Sequence, residues 1–440
     1  MSNFELALWS FPVMLALIFL RVPIALAMGA TGFIGTWMVL GRPDATLNQL
    51  KSLTYDTFSS YSLSIIPLFL LMGQFATRSG MSGALFRVAA DWLGHRKGGV
   101  AMATVGACAG FGAVCGSSLA TASTMGQVAL PEMRKRGFSD SLSTGVLAAG
   151  GTLGILIPPS VILVIYAIEA EQNVIKMFAA AMIPGILAAL GYMLVVAIYA
   201  RIRPDAAVTT DRVPYGERFL NMLSILPVIA IFLLVIGGIY LGIFTPTEGA
   251  AFGAVATGLY AAFTGGLNRD GLVDCMAQTA KTSAMIFLIL LGAQIFNSFL
   301  AFTQTPASLA DWVTGQGFTP MFVLAIILVI YLIFGCVMDS LSMILLTLPV
   351  FLPIIEALDF GLTPEETAIW FGVLVLIVVE VGLITPPVGM NLFIINSMAR
   401  DIPIRRTYAG VAPFVASDLI RVVILAAFPV ITLWLVQVLF

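Results

Sequence analysis

Two double-proline breaks interrupt long apolar segments at matching places in the two halves of this chain. One lies in the run Gly151-Thr152-Leu153-Gly154-Ile155-Leu156-Ile157-Pro158-Pro159-Ser160, the other in Gly382-Leu383-Ile384-Thr385-Pro386-Pro387-Val388-Gly389. Proline has no backbone donor and clashes with the preceding turn, so a pair of them inside a membrane helix frees amides and carbonyls that hydrocarbon cannot satisfy. Such backbone is tolerated only where it is buried in protein or lines a cavity. Interruptions in corresponding halves are the sequence pointer to a midplane binding site in secondary transporters.

The surrounding chain is built for a bilayer. Of 440 residues, 60% are apolar and 10% charged, and the mean hydropathy is +1.03, far from the range of soluble domains. Charge-free runs such as Asp56 to Arg78, Lys97 to Glu132 and Arg218 to Glu248 are long enough to hold the roughly 20 residues that cross the hydrocarbon. A net charge of -2 offers no basic surface for nucleic acid, so no nucleic-acid partner is expected. The start, Met1-Ser2-Asn3-Phe4-Glu5, lacks the basic n-region of a cleavable signal and reads as a retained first span. Cys108, Cys115, Cys275 and Cys336 have no metal-ligand spacing, and the single His95 sits beside Arg96 and Lys97, so redox and zinc chemistry find no constellation.

Spans are predicted at approximately 4–20, 23–40, 62–78, 140–170, 174–200, 222–243, 247–265, 282–301, 367–398 and 412–439. Segments 98–134 and 319–356 are long enough for two helices each, yet carry polar, small-residue middles: Gly116 to Ser123 in the first, Asp339-Ser340-Leu341-Ser342 in the second. Both read as re-entrant hairpins. With that choice Arg21, Arg78 to Lys97, Arg134 to Arg136, Arg201 to Arg218, Arg269 to Lys281 and Arg400 to Arg406 fall on one side, which the positive-inside rule makes cytoplasmic and which leaves both termini periplasmic. The fold class is then an all-α polytopic membrane protein with inverted repeats, each holding a re-entrant hairpin and a proline-broken helix. Stretches 80–95 and 266–281 mix charge with apolar residues and read as amphipathic helices on the membrane surface, in contact with lipid.

A dehydrated sodium ion needs about five or six oxygen ligands, which unwound carbonyls and Ser, Thr, Asn or Asp oxygens can supply. In the first half, Ser117, Ser118 and Thr121 would face Gly151, Thr152 and Pro158; in the second, Gly335, Asp339 and Ser340 would face Gly382, Thr385 and Pro386. Helix N-terminal ends after the tips and breaks carry free amides and partial positive charge, which suit a carboxylate. Ser118, Ser342 and Asn391 are the candidate substrate contacts. Asp339 is an acid in apolar context and reads as functional. Glu380 reads equally as functional or as half of a structural salt bridge, and Glu132 with Arg136 as a solvated i,i+4 pair.

Several ordered motifs give the chain a resemblance. The run from Gly116 through Ala122, Leu130-Pro131-Glu132-Met133, Gly154 through Ser160, Thr245 through Ala250, Met338-Asp339, Leu348 through Pro353 and Ile384 through Gly389 resemble the large membrane subunit of tripartite ATP-independent periplasmic (TRAP) transporters, the DctM type. The resemblance implies an elevator-type, sodium-coupled importer of the ion-transporter superfamily. Its substrates would be organic carboxylates such as C4-dicarboxylates, sialic acid or related sugar and keto acids. It further implies two partners, a soluble periplasmic substrate-binding protein and a small four-helix membrane subunit. A first span that begins by residue 6 leaves no room here for that subunit as an N-terminal fusion. Ser340 departs from the family, where proline commonly follows the aspartate.

On that reading 62–170 and 266–398 are the two transport repeats, with hairpins 98–134 and 319–356. Segments 1–61, 171–265 and 399–440 are scaffold. The alternative is a stand-alone dicarboxylate/sodium symporter or anion exchanger of the same superfamily, and no acid/base dyad supports an enzyme. If Thr152 and Thr385 bind sodium, Thr152→Ala and Thr385→Ala will reduce sodium-dependent uptake more than membrane insertion, measured by transport assay beside quantified membrane protein.

Overall fold

The computed structural model describes residues 2–440, and every regular element among them is helical. Four helices, Val174–Ile202, Tyr215–Tyr240, Arg269–Phe302 and Ile404–Ala427, are each long and apolar enough to cross a membrane. The pair Asp140–Leu156 and Val161–Glu169 passes the same test together but bends by 45° at Pro158-Pro159. Its counterpart in the second half is Pro364–Gly382, a break at Pro386-Pro387, and Met390–Met398. Both Pro-Pro peptide bonds are cis.

Both long ambiguous segments are helical hairpins. The first is Gly99–Cys115 and Ser118–Lys135, turned at Gly116, whose φ of 65 is left-handed and favours a residue without Cβ. The second is Pro320–Gly335 and Ser340–Glu356. Ion pairs fix the orientation of the first hairpin and of both broken helices. The base of the first hairpin is tied by Arg134 to Asp401 (2.9 Å), beyond the end of the second broken helix, while Arg406 holds Asp140 (2.7 Å) at the start of the first broken helix. At the far ends Lys176 meets Glu365 (2.6 Å), where the second broken helix begins. The two halves therefore run in opposite senses through one layer.

The basic loops gather on a single face. Besides the two pairs just named, Arg78 meets Asp274 (3.0 Å), the amide of Ser139 donates to the Ala206 carbonyl (3.0 Å), and that of Thr210 to the Gly94 carbonyl (3.0 Å). Each ion pair is substantially exposed on at least one side, so it contributes at most about 1 kcal/mol. Their value is to join loops that sequence separates.

Small residues set the helix spacing where no hydrophobic force distinguishes a neighbour from lipid. A methyl group on Gly32 would lie 2.6 Å from the Phe296 Cα, and one on Gly292 would lie 2.4 Å from the Ala25 carbonyl oxygen, so Ile24–Leu40 and Arg269–Phe302 touch backbone to backbone. The same holds where Ile404–Ala427 crosses the first broken helix: a methyl on Gly410 would lie 1.8 Å from the Ser141 carbonyl oxygen.

Four features differ from the sequence expectation. Segment 266–281 is no separate surface helix: from Arg269 it continues into one 34-residue helix to Phe302, started by Asn268, whose Oδ1 accepts from Gly271 N at 2.7 Å. The predicted span 412–439 begins earlier, at Ile404, and divides at Phe428, because Pro429 cannot continue the helix before it. Helices Pro43–Ser59 and Thr305–Gly315 were not anticipated, since neither carries a long apolar run. The amphipathic helix expected within 80–95 is present as Met81–Leu93.

These contacts generate a pair of opposed outcomes in thermal unfolding of the detergent-solubilised chain. Gly410→Val forces helices apart and costs about 1–3 kcal/mol by overpacking. Gly83→Ala, in a helix with nothing within 4 Å of the added carbon, is neutral or gains about 0.5–1 kcal/mol.

Candidate functional site

Each hairpin tip is seated on the break of its own half. In the first, Ser117 caps the helix that follows it, its hydroxyl accepting from the Ala120 amide (3.4 Å). The chain approaches so closely that a methyl on Gly154 would lie 2.7 Å from the Ser117 carbonyl oxygen and 2.3 Å from Thr121 Oγ1. A methyl on Gly151 would meet Ala122 Cβ at 2.6 Å and the Ser118 carbonyl oxygen at 3.2 Å. Pro158 is buried at the break, and the Pro159 carbonyl faces Gly116.

The second half repeats the arrangement with different chemistry. Gly335 and Gly382 touch, a methyl on the latter lying 2.4 Å from the Gly335 carbonyl carbon. A backbone bond from Gly389 N to the Cys336 carbonyl (3.2 Å) fastens tip to break. Asp339 is the N-cap, accepting from Ser342 N at 3.1 Å. Among the described residues no backbone bond of this kind ties the first tip to the first break.

Glu380 holds the second tip. It is 1% exposed, projects from the second broken helix, and accepts a hydrogen bond from Ser340 Oγ at 2.9 Å. Its other oxygen, Oε2, is buried without a partner. No basic side chain pairs with it among the described residues, which removes the salt-bridge alternative. Glu132 and Arg136 do form the expected i,i+4 pair (Arg136 Nε to Glu132 Oε1, 2.6 Å), half-exposed.

Between the tips lies a cavity of about 140 Å³ that Ser117, Ser118, Asp339 and Ser340 line together, closed by Leu383 and Met390 of the second break and by Thr282 and Ile286 of the long helix Arg269–Phe302. A larger cavity of about 340 Å³, against Pro320–Gly335 and Ile404–Ala427, is lined by aliphatic residues such as Leu328, Val378 and Val423. It has no polar group with which to orient a ligand.

Sequence reasoning brought Ser117, Ser118, Thr121, Gly151, Gly335, Asp339, Ser340 and Gly382 to these tips and breaks. The remaining candidates stand differently. Thr152 Oγ1 turns away, to the Ala149 carbonyl (2.7 Å) and Tyr192 Oη (3.0 Å). Thr385 Oγ1 bonds the Val381 carbonyl of its own helix (2.6 Å), a common use of threonine in membrane helices. Pro386 is exposed. Asn391 is buried and reaches across to the first broken helix, Nδ2 donating to the Ala148 carbonyl (3.4 Å), with Oδ1 unpartnered. Ser342 Oγ and Thr121 Oγ1 are buried without partners as well. Buried oxygens left unpaired are costly, so these three are the ones with capacity for an ion or substrate.

One network went unread. Tyr192 Oη donates to Asp418 Oδ2 (2.6 Å), and Arg421 Nη2 donates to Asp418 Oδ1 (2.7 Å) while its Nη1 reaches the Pro184 carbonyl (3.2 Å). Asp418 and Arg421 are 1% and 7% exposed. Opposite charges at i,i+3 inside an apolar span were the available signal. The network joins Val174–Ile202 and Ile404–Ala427 to the first broken helix through Thr152.

Residues 11–431 match the family described as "Tripartite ATP-independent periplasmic transporter, DctM component". A C4-dicarboxylate TRAP transporter large permease protein of Pseudomonas aeruginosa is 36% identical over 90% of this chain and 91% of its own. A sialic acid TRAP large permease of Vibrio cholerae is 30% identical over 96% of each chain, and an ectoine TRAP large permease of Halomonas elongata is 30% identical over 96% and 97%. In fold, the chain is similar to the solved Alcanivorax borkumensis YdaH transporter, with TM-score 0.62 and 16% identity over 88% of this chain and 89% of that one.

Because Thr152 and Tyr192 share one hydroxyl contact, Thr152→Ala and Tyr192→Phe will destabilise the chain non-additively. A double-mutant cycle read by thermal unfolding should give a coupling of about 0.6 kcal/mol and at most about 1.7.

Proposed function

The chain belongs to the DctM family of tripartite ATP-independent periplasmic transporters, and from that premise we propose that it moves an organic carboxylate across the bacterial inner membrane together with sodium, in the cavity between its hairpin tips. It is a multi-pass large permease subunit. The observation that carries the finer reading is the meeting of both tips at one cavity lined by hydroxyls and an acid; the unpartnered buried oxygens of Thr121 and Ser342 lie on the helices that start at those tips, and that of Asn391 on the helix after the second break. Sodium, as a cargo ion, suits hydroxyl and carbonyl oxygens that no proton donor occupies. No group of three or more His, Cys, Asp or Glu side chains able to hold a metal occurs among the described residues, a pattern that suits an alkali cation better than a transition metal.

The substrate class rests on the free amides at Ser118 and Ser340, where helices begin, with their positive dipole ends at the cavity. Dicarboxylate, sialic acid and ectoine name the relatives' substrates. A carboxylate is what these three share, and it is the group we assign to the cavity. A periplasmic binding protein and a small membrane subunit complete the transporter in this reading.

Movement is by an elevator step, with a boundary that differs from the sequence expectation. We place Val174–Ile202 and Ile404–Ala427 in the moving unit, because the Tyr192, Asp418 and Arg421 network and the Gly410 contact bind them to the first broken helix. Helices Ile24–Leu40 and Pro246–Phe263 remain the static frame, and Arg269–Phe302, counted from sequence in the second transport repeat, joins them because it packs backbone to backbone on Ile24–Leu40.

Reconstitution in proteoliposomes with both partners tests the assignment. Uptake should require an inward sodium gradient, and Thr121→Ala or Ser342→Ala should lower it about tenfold, as expected for loss of one contact to a charged species, while Thr385→Ala has the smaller effect. Unchanged sodium dependence in the first two variants would remove the sodium sites from these tips. Full uptake without a binding protein would favour the stand-alone symporter.

A further inference from the structure

A second polar cluster lies far from the cavity, on the face where the basic loops gather. It is made where the loop after Met81–Leu93 meets the start of Tyr215–Tyr240, joined by the bond from Thr210 N to the Gly94 carbonyl. Arg218 is 2% exposed. Its Nε donates to the Val213 carbonyl (2.8 Å), and its guanidinium stacks over the rings of Trp92 (5.7 Å) and Tyr215 (5.1 Å). Arg212 stacks on the same Tyr215 ring at 5.1 Å and donates to its hydroxyl. Cation–π stacking holds both guanidiniums side by side despite their like charge.

Three polar nitrogens of this cluster are buried with no partner: Arg218 Nη2, Trp92 Nε1 and His95 Nδ1. An unpaired donor out of water costs about 1–3 kcal/mol, and more when it is charged. Neither Arg212 nor Arg218 enters an ion pair among the described residues, and the nearby Asp91 is taken by Asn221 Nδ2 at 2.8 Å. Burial, and then the guanidiniums of Arg218, Arg212 and Arg96, hold His95 below its ordinary pKa, so the ring is neutral at pH 7. The cluster thus holds three buried nitrogens without partners around a guanidinium that enters no ion pair.

The surroundings identify what would come there. Tyr215, Phe219, Leu220 and Leu223 are 55%, 59%, 66% and 57% exposed, an apolar face turned outward on the helix that carries Arg218. Trp, Tyr and Arg beside such a face belong at the depth of lipid headgroups. An anion that fills the donors and lays apolar chains on Phe219, Leu220 and Leu223 is a phospholipid.

We propose that Arg218, Arg212, Trp92 and His95 form a binding site for the phosphate group of an anionic membrane phospholipid. The site pins the elbow between Met81–Leu93 and Tyr215–Tyr240 to the membrane surface. It is independent of the transported substrate.

Native mass spectrometry of the full chain in detergent, titrated with phosphatidylglycerol, phosphatidylcholine or inorganic phosphate, tests it. Phosphatidylglycerol should be retained in preference to phosphatidylcholine, and R212Q or R218Q should each weaken retention about fivefold, the equivalent of roughly 1 kcal/mol per basic side chain at an anionic surface. R269Q, an exposed arginine outside the cluster, should leave retention unchanged. R212Q alters an exposed side chain and so remains informative if R218Q does not fold. Equal retention of both lipids, full retention in R212Q, or occupancy by inorganic phosphate that excludes phosphatidylglycerol would each overturn the proposal.

Discussion

Backbone that leaves the helix inside an apolar layer must find its hydrogen-bond partners within the protein, and the architecture follows from meeting that demand twice. At each break the freed groups are covered by the tip of the hairpin of the same half, and the two hairpins enter from opposite faces. The cover works because glycine faces glycine, Gly112 against Gly154 and Gly335 against Gly382, so that carbonyls and amides approach within contact distance. Larger residues at these crossings would hold the tips off and leave the breaks bare. The cavity is what remains where the two covered breaks meet.

Much of this was legible because the controlling signals are local and strong. Double proline marks the breaks, Gly116 and Asp339 mark the turns, and the spacing of charges marks the spans. What escaped was directional. Hydroxyl-bearing residues at the breaks announce capacity for a ligand, but the helix turn decides whether the hydroxyl faces the cavity or its own carbonyl. Thr121 and Ser342 were left free while Thr152 and Thr385 were used internally. Helices Pro43–Ser59 and Thr305–Gly315 escaped for another reason: neither carries the long apolar run by which spans are read from sequence.

The buried charges serve two separate purposes. Asp418 and Arg421 neutralise each other and recruit Tyr192, so their cost in an apolar layer is offset while three helices are held in register. Glu380 has no such partner. It is held by the Ser340 hydroxyl of the second tip alone, with its other oxygen buried and unpaired, a costly arrangement inside an apolar layer.

The tethering of the hairpins has a kinetic side. Topology makes the two hairpins equivalent, whereas their bonds do not: the second is latched to its own break by Gly389 and Cys336 and to Glu380 of that broken helix by Ser340. Withdrawing the second tip breaks a backbone bond and a hydroxyl contact. Withdrawing the first separates closely packed surfaces alone. In the transport cycle proposed above, hairpins related by a two-fold axis but held so unequally would not open at the same speed, whatever symmetry the fold gives the path.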